Sequence, residues 1–181
     1  DISTMGSVCT IMVGRLDDWL KLYADKHDIS IDPGVLEWAG VAVFKKTYRL
    51  FQERGYRIRL LSAAFRNHMH WSEFIGGNVV ISPPHLWQKR FNACDVAVEP
   101  RIDTPVAPAI LAALEKFPDF RRASTEDGLS HEERMALRDG ATARAEAVTK
   151  RRVAHEPAQR GDDLRPTLRV HEQGVLALHG H

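Results

Sequence analysis

The fold is decided by a short apolar run, VCTIMV, at residues 8–13. The run lacks helical spacing, and its composition is typical of a strand that is covered on both faces in a parallel sheet. Gly14 and Arg15 end the run, and apolar residues then recur at helical spacing from Leu16 to Tyr23. A strand followed directly by an amphipathic helix is the first half of a strand–helix–strand unit.

The same pattern returns twice further along the chain. Residues 58–64 and 79–82 are apolar runs that predict a second and a third strand. A long helix is predicted between the first two strands, with Gly55 as its left-handed cap. This long helix spans residues 41–51, and later helices are predicted at residues 86–91 and 107–116. A short helix is predicted after Asn67, which serves as its N-cap.

Alternating strands and helices of this length predict an α/β fold with a parallel sheet. A closed (β/α)8 barrel needs about 250 residues, and this sequence has 181. Three strands do not close a barrel, so further strands precede Asp1, or a partner chain supplies them, or the sheet stays small and open. The first of these explanations is the simplest.

The aromatic residues divide the chain. Every Trp, Tyr and Phe falls between Trp19 and Phe120, and Arg, Ala, Glu and His dominate the sequence that follows. Such a composition can form exposed helix but buries little surface. We therefore predict a packed region at residues 1–124, a helical segment at 125–154 and a poorly ordered tail at 155–181.

Charge and composition exclude several classes of function. The formal net charge is +1, which argues against a dedicated nucleic-acid binder. No apolar run is long enough to span a membrane and no signal peptide opens the sequence, so we expect a cytoplasmic protein without a membrane partner. Cys9 and Cys94 make neither a disulfide framework nor a zinc-ligand spacing, and no cofactor or metal is predicted.

Two arginines stand at the ends of predicted strands. Arg15 follows the first strand and Arg66 follows the second, each just before a predicted helix. Neighbouring parallel strands lie about 5 Å apart, so the two guanidinium groups can converge on one anion, with Thr10 as a further hydroxyl donor. Carboxyl ends of parallel strands are also where such folds place their sites. The alternative is that both arginines form ion pairs with nearby acidic residues.

The other charged side chains are predicted to be structural or solvated. Asp17 and Asp18 are expected in the first turn of a helix, where the dipole favours carboxylates. All lysines are expected on helix faces or in loops with solvated ammonium groups. Glu73 has no partner nearby in the sequence for acid–base work. His68 and His70 would share a face only on a strand, so no metal site is predicted.

These motifs resemble the transaldolases. Residues 10–19, TIMVGRLDDW, are similar to the sixth strand and following turn of that family, and residues 63–67, AAFRN, to the end of the seventh strand. Residues 79–84, VVISPP, are similar to the eighth strand, and DFRRA at 119–123 resembles one bacterial branch of transaldolase-like proteins. The resemblance covers residues 5–128.

The resemblance implies the C-terminal part of a (β/α)8 TIM barrel, strands six to eight with their helices. Such enzymes move a dihydroxyacetone unit between sugar phosphates in the pentose phosphate pathway. They use a Schiff-base lysine on the fourth strand and two acid–base carboxylates on the first and third. Arg15 and Arg66 would bind the substrate phosphate, with Thr10 where the family often has Ser, and Asn67 completes the candidate set.

The expected activity of this chain depends on which catalytic residues of the family the matching motifs do not include. The lysine and the two carboxylates would lie before Asp1, so the chain is expected to bind part of a sugar phosphate without turning it over. An incomplete barrel exposes strand edges, which favours aggregation or a homo-oligomer. The alternative function is a non-catalytic anion-binding or scaffold module.

Overall fold

The computed structural model describes residues 6–126, 128, 130, 132, 135 and 176–178. Strands and helices alternate at the start of the chain, as predicted. In chain order the elements are β1 (Val8–Met12), α1 (Val13–Lys26), α2 (Pro33–Leu36), α3 (Ala39–Glu53), β2 (Arg59–Ala63), α4 (Met69–Ser72), β3 (Val79–Ile81), α5 (His85–Asn92), α6 (Pro108–Leu114), α7 (Pro118–Ala123) and β4 (Leu176–Leu178).

Three parallel strands form the main part of the sheet, in the order β1-β2-β3. β1 and β2 pair from Val8 opposite Arg59 to Met12 opposite Ala63. The three predicted strands and their parallel pairing are therefore confirmed. β4 adds an antiparallel neighbour to β3, inside the segment 155–181, where the sequence predicts no strand.

One face of the sheet carries the core. Leu60 and Ser62 of β2 are buried on this face, together with Val79 and Ile81 of β3. The prediction that the first strand is covered on both faces is wrong, because every residue of β1 is half-buried or exposed. The reason is its place: β1 is the edge strand of the sheet that the described residues form.

Helices α1 and α3 pack closely where α3 begins. A Cβ atom on Gly40 would lie 2.3 Å from the carbonyl oxygen of Val13, so this approach requires glycine. The rings of Phe44 on α3 and Phe74 after α4 stack with centroids 4.0 Å apart, and both are fully buried. This packing fixes the helices against the sheet and thereby fixes the strand ends.

Helix α3 ends in a Schellman motif. Gly55 has a φ of +63°, its N–H donates to the carbonyl of Gln52 at 3.1 Å, and the N–H of Tyr56 donates to the carbonyl of Phe51 at 3.0 Å. The rings of Tyr56 and Phe51 pack with centroids 5.1 Å apart. The left-handed cap predicted at Gly55 is confirmed.

Helix α7 joins the later part of the packed region to α1. The indole N–H of Trp19 donates to Asp119 Oδ2 at 2.8 Å, and Phe120 is buried. The predicted segments 125–154 and 155–181 lie mostly outside the described residues, so the division at residue 124 stays a prediction. Within the described ranges, none of the helices combines the length and the apolar character that crossing a membrane requires.

Candidate functional site

The two candidate arginines follow neighbouring strands. Arg15 lies in the first turn of α1, directly after β1, and Arg66 lies three residues after the end of β2. The two strands pair in parallel up to Met12 and Ala63, so their predicted adjacency is confirmed. Helix α1 begins at Val13, earlier than predicted, so Arg15 is inside the helix rather than ahead of it. That both guanidinium groups meet one anion stays a prediction.

Gly14 brings the two arginine-bearing turns into contact. A Cβ atom at this position would lie 2.0 Å from the carbonyl oxygen of Ala64 and 2.6 Å from Cγ of Arg66. The backbone of the first turn of α1 therefore lies directly against the stem of Arg66. Ala64 itself has a φ of +63°, a left-handed conformation that costs a non-glycine residue about 1 kcal/mol or more. Backbone strain of this kind collects at functional sites.

Arg66 uses part of its hydrogen-bonding capacity within the protein. Its Nε–H donates to Asp18 Oδ2 at 2.8 Å. Its Nη1 donates to the carbonyls of Ala64 at 3.3 Å and Phe65 at 3.0 Å. A guanidinium group has five N–H donors, and Nη2 has no partner among the residues that the structure describes. Two donors thus remain for an anion.

Arg15 differs from Arg66 in its surroundings. It is half-buried, and its side chain makes no ion pair or hydrogen bond within the described part of the chain. The N-cap residue of α1, Met12, supplies no side-chain cap bond either, and the partial positive charge of a helix start favours an anion near Arg15. The alternative prediction, that both arginines pair with acidic residues, therefore holds for Arg66 alone.

A buried aspartate and histidine lie behind Arg66. His70 Nε2 lies 2.8 Å from Asp17 Oδ2, and both side chains are 0% exposed. Asp17 Oδ1 accepts the backbone N–H of Gly40 at 2.8 Å, and His70 Nδ1 accepts the backbone N–H of Arg66 at 3.0 Å. We call the side chains of Asp17, Asp18, Arg66 and His70 the Arg66 network. The expectation that Asp17 and Asp18 lie in the first turn of their helix is wrong, because α1 begins at Val13 and its first turn contains no acidic residue.

The environment of Asp17 works in opposite directions on its carboxyl group. Burial raises the pKa of Asp17 above its ordinary value of 3.8. The hydrogen bond from His70, the N–H of Gly40 and the charge of Lys21 oppose this shift. Removal from water is the larger effect, so this carboxylate is held at a cost that its partners only partly offset.

The other predicted site residues have separate placements. Thr10 is exposed on β1. Asn67 is not an N-cap: the cap residue of α4 is His68, without a side-chain cap bond. The Nδ2 of Asn67 donates to the carbonyl of Glu37 at 3.3 Å, and its Oδ1 is buried without a partner among the described residues. Phosphate binding by Thr10 and Asn67 stays a prediction. Across the described ranges, no group of three or more His, Cys, Asp or Glu side chains is arranged for a metal.

A second buried polar cluster lies beside α4. Lys45 Nζ donates to Glu73 Oε2 at 2.6 Å and to the carbonyls of Arg101 and Thr104, each at 2.8 Å. We call this set, with the side chain of Arg101 at 3.4 Å from Glu73 Oε1, the Lys45 network. Lys45 is only 3% exposed, so the prediction that every lysine is solvated is wrong. Glu73 has its partner 28 residues away along the chain, which agrees with the expectation that no partner lies nearby in the sequence. Three fixed acceptors replace the water that burial removes.

Sequence reasoning missed both buried pairs, although each left a signal. In a helix that begins at Val13, Asp17 falls on the same stripe as Leu20 and Ala24, all of them buried. Lys45 likewise follows Val41 by four residues on the core stripe of α3. A charged residue on an apolar stripe indicates a buried partner elsewhere in the chain.

The fold and the two turns define an α/β protein with a candidate anion site at the carboxyl edge of parallel strands. The family model of transaldolase/fructose-6-phosphate aldolase matches residues 4–139, a range that includes both arginines and all three parallel strands. The chain therefore belongs to the transaldolase/fructose-6-phosphate aldolase family, as the resemblance indicates. This family has a TIM-barrel type of α/β fold, to which the three-stranded parallel sheet conforms.

Curated relatives match part of their own length. The transaldolase of Aliivibrio salmonicida is 34% identical over 93 residues, which are 51% of this chain and 28% of that protein. The transaldolase of Actinobacillus succinogenes is 32% identical over 88 residues, or 47% of this chain and 26% of that protein. The transaldolase of Prochlorococcus marinus is 27% identical over 139 residues, which are 75% of this chain and 39% of that protein. The chain thus spans well under half of these relatives, and no solved structure matches it.

Proposed function

We propose that this chain carries the phosphate-binding part of a transaldolase-type enzyme, which transfers a dihydroxyacetone unit between sugar phosphates. The observation that carries the proposal is the contact at Gly14, where the turn of Arg15 lies against the stem of Arg66. The Nη2 donors of Arg66 have no partner within the described ranges, and planar two-pronged donation suits a phosphate group. The curated relatives named transaldolase support the reaction class.

Electrostatics favours an anion at the same place. Arg15 lies in the first turn of α1, where N–H groups without an intrahelical acceptor and a partial positive charge favour phosphate. Among the described residues, Asp18 is the acidic side chain that pairs with Arg66; it accepts the Nε–H and leaves Nη2 without a partner. Asp18 therefore orients the guanidinium group without closing it to a ligand.

The Schiff-base step would need a lysine other than those of the described residues. Lys45 is the one buried lysine among them, and its three N–H donors are all taken by acceptors. With all three donors engaged inside the protein, this side chain is not placed to reach the carbonyl carbon of a substrate. The remaining lysines of the described ranges are half-buried or exposed. We therefore assign binding, rather than covalent catalysis, to this part of the enzyme.

Replacement of either arginine tests the proposal. Arg15→Ala and Arg66→Ala should each weaken binding of fructose 6-phosphate and of inorganic phosphate by about 1.5–3 kcal/mol, the range for hydrogen bonds to charged groups. Titration calorimetry on the full chain measures both affinities. Fructose without phosphate should not bind measurably.

The control is Arg49→Ala, which removes an exposed arginine from α3. It should leave both affinities within a factor of about two, since exposed charges far from a site act weakly. Unchanged affinity in both Arg15→Ala and Arg66→Ala would remove these residues from the site. A wild-type chain that binds neither probe would overturn the proposed function.

A further inference from the structure

We infer that Asp17 and His70 are positioning residues, which fix the backbone of Arg66 through one defined tautomer of the His70 imidazole. The inference rests on the proposed function, because it assigns the pair to the phosphate site that Arg66 would form. Neither residue touches the expected position of a ligand, since both side chains are fully buried. Their effect would pass through Arg66.

The tautomer follows from the Arg66 amide. A backbone N–H can only donate, and that of Arg66 is directed at His70 Nδ1 at 3.0 Å. Nδ1 must therefore be the unprotonated nitrogen. A neutral imidazole then carries its hydrogen on Nε2, which donates to Asp17 Oδ2 at 2.8 Å. The contact of 3.4 Å between Asn67 Nδ2 and His70 Nε2 then joins two donors and is not a hydrogen bond.

The other oxygen of Asp17 anchors the arrangement. Asp17 Oδ1 accepts the N–H of Gly40, the second residue of α3, at 2.8 Å. The N-cap residue of α3, Trp38, makes no side-chain cap bond. A carboxylate from α1 therefore satisfies one of the open N–H groups at the start of α3. The hydrogen bonds run without interruption from α3, through Asp17 and His70, to the amide of Arg66.

Arg66 needs such an anchor because of its local backbone. The turn that precedes it contains Ala64 in a left-handed conformation, which is strained for a residue with a side chain. Any rearrangement of the turn that moved Ala64 out of this conformation would relieve the strain. The hydrogen bond from the backbone N–H of Arg66 to His70 Nδ1 fixes the backbone of this turn on its buried side. The bond from Nε to Asp18 fixes the guanidinium group. Loss of the inner bond should let the arginine move away from its binding geometry.

Asp17→Asn is the decisive variant. The carboxylate of Asp17 accepts a hydrogen bond on each of its two oxygens, whereas the amide of asparagine has only one oxygen that can accept. The bond from Gly40 is buried, whereas the bond from Arg66 to His70 is only partly buried. The amide oxygen should therefore keep Gly40, and its NH2 group should face His70 Nε2. The imidazole would then change to the Nδ1–H tautomer, which opposes the N–H of Arg66.

Two nuclear magnetic resonance measurements on the full chain report on this change directly. Imidazole ¹⁵N shifts should show His70 as the Nε2–H tautomer in the wild type and as the Nδ1–H tautomer in Asp17→Asn. Hydrogen exchange of the Arg66 amide should accelerate about tenfold in the variant, as expected for the loss of one hydrogen bond. The affinity for inorganic phosphate and fructose 6-phosphate should fall by a similar factor.

Two further variants separate positioning from general support of the fold. Asp119→Asn is the matched control, because it makes the same substitution in a carboxylate that also accepts a bond of 2.8 Å, from Trp19. It should leave the His70 tautomer, the Arg66 amide and the phosphate affinity unchanged. His70→Gln retains one acceptor and one donor, and should keep Arg66 amide exchange and affinity within about threefold of the wild type.

The outcomes are distinguishable. An Nδ1–H tautomer in the wild type overturns the inference without any variant, as does an Arg66 amide in Asp17→Asn that exchanges no faster than in Asp119→Asn. If Asp17→Asn fails to fold, the wild-type tautomer and the His70→Gln variant decide the question. A wild type with the Nε2–H tautomer that binds neither phosphate probe overturns the proposed function and leaves the anchoring of Arg66 standing.

Discussion

The Arg66 network and the Lys45 network both contain buried charges, and they differ in how many hydrogen-bond donors of their cations have partners. In the Lys45 network, all three N–H groups of the ammonium meet an acceptor within 2.8 Å. In the Arg66 network, the guanidinium donates three hydrogen bonds and keeps Nη2 without a partner in the described part of the chain. The first network is saturated and the second is not.

This difference separates a structural cluster from a candidate site. A saturated buried cation joins its own element to those that supply its acceptors; here Lys45 joins α3 to the residue after α4 and to the loop before α6. The Arg66 guanidinium is partly exposed near the end of β2, and its two Nη2 donors can bind a ligand. The two networks should therefore respond differently to mutation: one through stability, the other through binding.

The largest expected effect is on stability, from Lys45→Met. The variant leaves Glu73 buried with only the more distant Arg101 as a partner. Removal of one member of a buried ion pair costs about 3–5 kcal/mol, and the Arg101 contact places this case near 3 kcal/mol. Urea unfolding measures the free energy of unfolding, and phosphate affinity of the folded fraction should not change.

Two comparisons sharpen this result. Lys46→Met removes the neighbouring lysine, which is exposed, and should change the free energy of unfolding by less than about 0.5 kcal/mol. The double variant Lys45→Met/Glu73→Leu should be more stable than Lys45→Met alone, because no unpaired charge stays buried. Equal stability of Lys45→Met and Lys46→Met would show that the Lys45 network is not what joins these elements.

The strands could be predicted from the sequence because their signal is local. The run at residues 8–13 and the two later runs need only composition and the absence of helical spacing to be recognised. The Gly55 cap is equally local, since it depends on one residue at the end of one helix. Each of these features is confirmed, and the adjacency of the arginine-bearing strands follows from them.

The buried partners could not be predicted in the same way, because they are distant along the chain. His70 lies 53 residues from Asp17, and Glu73 lies 28 residues from Lys45. The sequence shows at most that one member of each pair sits on an apolar stripe. A misplaced helix start was enough to hide Asp17, since a start near Leu16 moves it from the second turn to the first.

A moderate effect on both stability and binding is expected from Gly14→Ala. The added Cβ would lie 2.0 Å from the carbonyl oxygen of Ala64, a backbone atom that cannot yield without moving β2 or α1. Overpacking of this kind costs about 1–3 kcal/mol. Because the same Cβ meets the stem of Arg66, phosphate affinity should also fall. Urea unfolding and titration calorimetry on the full chain measure the two effects.

Gly34→Ala is the matched control for this substitution. The atoms nearest to its Cβ would be those of the Asp32 side chain, at 3.2 Å or more on an exposed surface, so stability should change by less than about 0.5 kcal/mol. If Gly14→Ala lowered stability but left phosphate affinity intact, the close contact at Gly14 would belong to the fold alone. The turn after β1, which carries Arg15, would then have no shown part in the candidate anion site.

The smallest expected effect is a change in the pH dependence of stability, caused by Asp17. Burial raises the pKa of this carboxyl group above its ordinary value of 3.8. The unfolded chain therefore releases the proton at lower pH than the folded chain does. As pH rises from about 3.8 through the raised pKa, the unfolded state is favoured, and this loss of stability becomes constant above that pKa.

Comparison of the wild type with Asp17→Asn isolates this contribution, because the variant has no proton to lose at that position. The free energy of unfolding of the wild type, minus that of the variant, should fall with increasing pH across the window and then level off. Urea unfolding at a series of pH values measures this difference. If the difference rises instead, the bonds from His70 and Gly40 outweigh burial and lower the pKa of Asp17, so that the Arg66 network gains stability from its buried charge rather than carrying it at a cost.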